Sequence, residues 1–235
     1  MKALMLYILM ILLANSQSLN AQDSKSRISE TWQIGLGLGE IPVGGSFKPS
    51  ISLGYHFSEK VYLGAIYQFK DHINRGNTSF NAKSSGLEGM TSSAEEVAQR
   101  MLFHVRYTPF KKGPYLSGGI VMNGKDVETL MFDDRERILS GETYQGIVTI
   151  QQSRPAGWGF ALGLGYQYNF KNGISVGLEW TPAWGKYADP NYEFSGSSDL
   201  SLHAMEQIED KMNKGFKNSL TNMYKVFHMG VAYRF

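Results

Sequence analysis

From Gly157 to Phe170 the chain reads GWGFALGLGYQYNF, with a large apolar side chain at every second position. Trp158, Phe160, Leu162, Leu164, Tyr166, Tyr168 and Phe170 alternate with Gly157, Gly159, Ala161, Gly163, Gly165, Gln167 and Asn169. Successive side chains of a strand point to opposite faces, so the segment predicts a strand with one apolar face and one small or polar face. A strand of a water-soluble sandwich also alternates, but it turns its large residues inward and shows charged ones to water. Here the second face is mostly glycine, which suits a tight interior beneath an apolar exterior.

The same register recurs in seven further segments. TWQIGLGLG sets Trp32, Ile34, Leu36 and Leu38 outward, and PSISLGYHF does so with Ile51, Leu53, Tyr55 and Phe57. VYLGAIYQFK turns Val61, Leu63, Ala65, Tyr67 and Phe69 outward and Tyr62, Gly64, Ile66, Gln68 and Lys70 inward. RMLFHVRY, PYLSGGIVM, ISVGLEWTPAW and the C-terminal MYKVFHMGVAYRF bring the strands to eight. A tilted membrane strand needs about ten residues, and an even strand count with alternating short and long connections is the rule for bacterial barrels. The short connections are SEK, PFKKG and KNG; the long ones run over roughly 40–48, 71–98, 123–156 and 185–221. The fold class predicted is all-β: an eight-stranded antiparallel transmembrane up-and-down β-barrel.

Composition agrees, with 26 glycines and 13% aromatics against only 19% charged residues, a profile tilted towards β structure. The net charge of +2 carries no basic block, so nucleic acid is not an expected partner. The absence of cysteine excludes disulfides, thiolate metal sites, a cysteine nucleophile and a lipid-modified N-terminal cysteine. The N-terminus, MKALMLYILMILLANSQSLNAQ, has a lysine, an apolar run from Ala3 to Ala14 and a small residue, Ala21, before Gln22. That is the pattern of a secretory signal peptide over residues 1–21, and its apolar run is too short for a helical span of about twenty residues. Residues 22–30 are then an N-terminal periplasmic segment, and 31–235 form the barrel with four long extracellular loops.

The chain resembles the small eight-stranded outer-membrane barrels of the OmpA/OmpX/OmpW-like superfamily across essentially all of its mature length. The most specific residues are His228, Gly230, Tyr233 and Phe235, similar to the C-terminal β-signal read by the barrel assembly machinery. YTPFKKGPYLSGGIV is similar to a strand–turn–strand region of the group, and the leader ending NAQ looks like those of Bacteroidota. The resemblance implies a Gram-negative outer membrane, periplasmic termini, and contacts with outer-membrane lipids and the assembly machinery. It also implies a structural role or a loop-mediated role with an extracellular or envelope protein partner. An OmpW-like conduit for small apolar solutes and a lipid-modifying enzyme are the alternatives.

The inward register collects Lys70, Arg100, His104, Arg106, Glu179 and His228, together with His56. Eight strands enclose an interior just wide enough for side chains to fill, and an unpaired buried charge costs several kcal/mol. Glu179, the one carboxylate among these bases, is therefore expected to bridge to Arg106 or a neighbouring base. Ser117 or Ser175 beside a histidine could form a hydrolytic set, but no motif ties them together, so no catalytic residue is assigned. GLGLGE is no phosphate loop, since no lysine follows. Asp126, Glu128, Asp133, Asp134 and Glu136 lack the spacing and glycine of a calcium loop, so neither metal nor cofactor is expected. TYQGIVTI predicts a hairpin rising above strands five and six. Met205, Ile208, Met212 and Phe216 predict an amphipathic helix with Asp199 as N-cap, and SSAEEVAQRM predicts a shorter helical turn.

Overall fold

The computed structural model describes residues 31–39, 47–77, 79–110, 113–184, 188–196, 200–217 and 225–235. The predicted leader (residues 1–21), residues 22–30 and the expected N-cap Asp199 lie outside them.

Eight strands close into an antiparallel barrel: β1 (Trp32–Leu38), β2 (Pro49–His56), β3 (Val61–Gln68), β6 (Arg100–Tyr107), β7 (Gly113–Asn123), β10 (Gly157–Asn169), β11 (Ile174–Trp184) and β13 (Lys225–Arg234). Each pairs with its sequence neighbour among the eight, and β13 returns to β1. The closing seam runs from Gln33 opposite Arg234 to Leu38 opposite Met229. It is sealed at the chain end, where Trp32 and Phe235 exchange N–H···O bonds of 3.1 and 2.9 Å. The terminal aromatic is thus a paired strand residue, and no open edge is left in this sheet.

The two faces follow the period-two pattern. Large apolar residues are exposed outward, including Ile34, Leu53, Leu63, Phe103, Leu116, Leu162, Val176 and Met229. Aromatic pairs gather near the short turns, with Tyr55 packed edge-on between Trp32 and Phe57, and Tyr168 against Phe170. Further pairs, Tyr67–Phe69 and Trp158–Phe160, stand at the opposite end. Strands β1, β2, β3 and β6 have seven or eight residues, short of the expected ten, while β7, β10 and β11 have eleven to thirteen. One side of the wall is therefore taller.

The long connections hold more structure than extended loops. Strands β4 (Asp71–Arg75), β5 (Met90–Val97), β8 (Asp126–Leu139), β9 (Glu142–Arg154) and β12 (Asn191–Gly196) form a separate sheet in the order β12-β9-β8-β5-β4. The β8–β9 hairpin appears where TYQGIVTI predicted one. Its two-residue turn, Ser140-Gly141, has positive φ at both positions, as the twist of such a hairpin demands. The helical turn expected in SSAEEVAQRM is instead strand β5, because backbone pairing with β4 on one side and β8 on the other overrides local preference.

Two helices lie on this sheet, α1 (Phe80–Ser85) and α2 (Leu202–Lys217). The described cap of α2 is Ser201, whose hydroxyl accepts from Ala204 N at 3.3 Å. Ala204, Ile208 and Met212, spaced by four, turn one face of α2 onto Leu130, Phe132, Val148 and Ile150 of the sheet. This second core is distinct from the apolar set inside the barrel.

Candidate functional site

Four layers fill the barrel. Nearest the short turns, His56 and Gln33 are joined at 2.9 Å. Deeper lies Glu179, whose side chain is fully buried. Its Oε2 accepts from Arg106 at 2.8 Å and from the Tyr115 hydroxyl at 2.9 Å; its Oε1 accepts from His104 Nδ1 at 2.8 Å and from the Thr181 hydroxyl at 2.9 Å. A carboxylate only accepts, so His104 carries its proton on Nδ1. The Arg106 guanidinium lies between the rings of Tyr62 and Tyr115, 4.8 and 4.9 Å from their centroids. Room for those rings comes from glycine: a methyl at Gly64 would overlap Tyr62, and one at Gly165 would overlap Tyr115.

The next layer is apolar. Ile66, Leu102, Val121, Ala161, Ala183 and Val226, one from each of six strands, are buried together across the barrel. Beyond it, where the second sheet begins, Gln68 donates to the carbonyls of Gly39 and Phe227. Arg100 reaches Asn123 Oδ1 at 2.7 Å and Asp126 at 3.9 Å. Asp126 also accepts from Ala98 N at 2.7 Å and faces Arg154 at 3.7 Å, while buried Lys48 donates to Ala98 O. This junction ties the barrel to the sheet above it.

The sequence-predicted residues therefore divide. His104, Arg106 and Glu179 meet in one cluster, and His228, opposite Glu179 on the neighbouring strand, bonds instead to Ser50 Oγ at 2.9 Å. Arg100 is buried in the junction layer rather than beside Glu179. Lys70 corrects the inward list: it is exposed, two residues past the end of β3, where the chain has left the barrel for the second sheet. Strict alternation carried beyond the last paired residue misassigns it. Tyr115 and Thr181, missed as partners, were visible only as inward positions of their strands. The apolar layer could have been found by asking which inward residue of each strand sits at a common height.

The acidic residues of the long loops serve separate ends. Glu128 accepts from Ser79 and Ser93 at 2.7 Å each, and from Asn81, fixing α1 to the sheet. Asp133 takes two bonds of 2.7 Å from Arg135, which hold its carboxyl below the usual range. Glu95, by contrast, is pushed upward by burial, against the opposing bond from Arg75.

The sequence matches the outer membrane protein beta-barrel domain family over residues 8–235. The chain belongs to that family. Among solved structures, this outer-membrane barrel is similar to CarO of Acinetobacter baumannii at 14% identity and a TM-score of 0.54, over 86% of this chain and 97% of that one. It is also similar to CarO2 of the same organism, at 12% identity and a TM-score of 0.58, over 88% and 99%. At such identities the likeness is one of fold. No curated protein sequence matches the chain. None of this bears on the Bacteroidota resemblance of the leader. Membership puts the barrel in a Gram-negative outer membrane, and the exposed apolar wall is what lipid requires.

Proposed function

We propose that the barrel is a sealed pedestal in the outer membrane, and that the sheet-and-helix unit above it makes the functional contact with an extracellular or envelope protein. The observation that carries this reading is the contrast between the two units. The lumen is crossed by the Arg106–Glu179 pair and blocked by six apolar side chains, while the long connections fold around a core of their own. The short turns and both termini then face the periplasm, following export on a leader cleaved after Ala21.

Purified protein in planar bilayers is expected to show no steady conductance. Open-state currents reproducible between preparations would instead favour the conduit. A catalytic role is not assigned, because among the described residues no serine bonds the His104–Glu179 pair directly: Ser117 reaches Glu179 only through Thr181, and Ser50 holds His228, all buried inside the wall. Lipid A incubated with the protein should keep its mass.

His228, Gly230, Tyr233 and Phe235 are proposed as the residues read by the assembly machinery. Removal of Phe235 also deletes the bonds to Trp32 that close the seam. The truncated protein should reach the outer membrane at clearly reduced levels by quantitative immunoblotting of membrane fractions, and undiminished levels would sink this assignment.

A further inference from the structure

We propose that the short-turn mouth of the barrel is a binding site for a small oxyanion, a carboxylate or a phosphate, seated against the edge of Arg106. The mouth opens into a cavity of about 190 Å³ lined by Gln33, His56, Tyr62, Arg106, Tyr115 and Gln167, among others. A side chamber of about 20 Å³ continues past Arg106 to Ser52 and His228, large enough for roughly one water molecule. This space lies on the far side of the apolar layer from the second sheet, so the proposal is independent of any contact made there.

The hydrogen-bonding capacity of Arg106 is the first ground. A guanidinium offers five N–H donors in one plane. Glu179 takes one from Nη2 at 2.8 Å, and Gln167 Oε1 lies at the limit of a bond, 3.5 Å from Nη1. Nε is buried without a partner among the described residues, and so is the hydroxyl of Tyr62, which lines the same cavity. Buried donors are ordinarily satisfied, and those that are not ask for an acceptor the protein does not itself supply.

Approach is the second ground. Arg106 Cζ stands over the rings of both Tyr62 and Tyr115, which crowd the guanidinium. The approach left to a ligand is along the edge that Glu179 does not occupy, and in-plane pairing is how a guanidinium holds carboxylate or phosphate oxygens. Charge at the mouth points the same way. Among the described lining residues, Lys171 and Arg234 stand with one carboxylate, Glu59. Because Glu179 already neutralises Arg106, this rim supplies the attraction and Arg106 supplies the geometry.

The test uses the mature protein in detergent micelles, with ¹⁵N label followed at the Gln33 and Gln167 side-chain amides and the His56 ring. Inorganic phosphate and succinate are titrated separately at constant ionic strength, with chloride as reference. Saturable shifts confined to these three residues are expected with one or both anions. A phosphate-only response identifies a phosphate site, and a response to succinate alone a carboxylate site. Lys171→Gln, on the exposed turn, should leave folding intact and weaken binding roughly two- to fivefold, the loss of one screened charge. Shifts that fail to saturate, that chloride reproduces, or that Lys171→Gln leaves unweakened would overturn the proposal.

Discussion

Glu179→Gln protein is expected to lose about 3–5 kcal/mol of stability, the usual penalty for removing one partner from a buried ion pair. The carboxylate is fully buried and receives Arg106, His104, Tyr115 and Thr181. Glutamine keeps the volume and can still meet some of these donors, but it leaves the Arg106 charge uncompensated in a narrow, low-dielectric interior. Urea unfolding of refolded protein, followed by tryptophan fluorescence and by heat-modifiable gel migration, measures the loss. Replacing both partners together, as Arg106→Leu with Glu179→Leu, should recover a large part of it, because the unpaired charge is gone. A single-variant effect below about 1 kcal/mol would place the pair in a wetter setting than its burial indicates.

The second large effect is expected in the outer unit. Ile208 is 1% exposed, on the face of α2 that meets Leu130, Val148 and Ile150. Ile208→Asp puts a charge with no partner into that core, where even a neutral unbonded polar group costs on the order of 2–7 kcal/mol. Helix α2 should detach and become a site of early proteolytic cleavage, with loss of helical circular dichroism. The barrel, with its own apolar layer, should still fold and shift on heating. Simultaneous loss of both units would refute the two-core description. Ile208→Val should be nearly silent, at about 0.5–1.5 kcal/mol.

The eight wall strands were legible because lipid outside and close packing inside impose one rule on every residue, a side chain facing one way or the other. That Glu179 would bridge to Arg106 or a neighbouring base could be read from sequence for a related reason: a closed barrel gives an inward carboxylate few neighbours. That reasoning stops at strand ends, as Lys70 shows. It also stops wherever pairing joins segments distant in the chain. Strand β5 is rich in serine, alanine and glutamate and reads as helical, yet it lies between β4 and β8, with Ser93 bonded to Glu128 across the ladder.

Sequence by itself thus determined the barrel wall, its strand count, its outward apolar face and the need of its buried carboxylate for a basic partner. Each follows from a local period of two meeting a uniform environment. Tertiary structure alone decided that three of the long connections assemble into one five-stranded sheet with helices on its face, that six inward residues meet as an apolar layer, and that two tyrosines pack against Arg106. These depend on heights and registers between strands far apart in the chain, and no single segment carries that information.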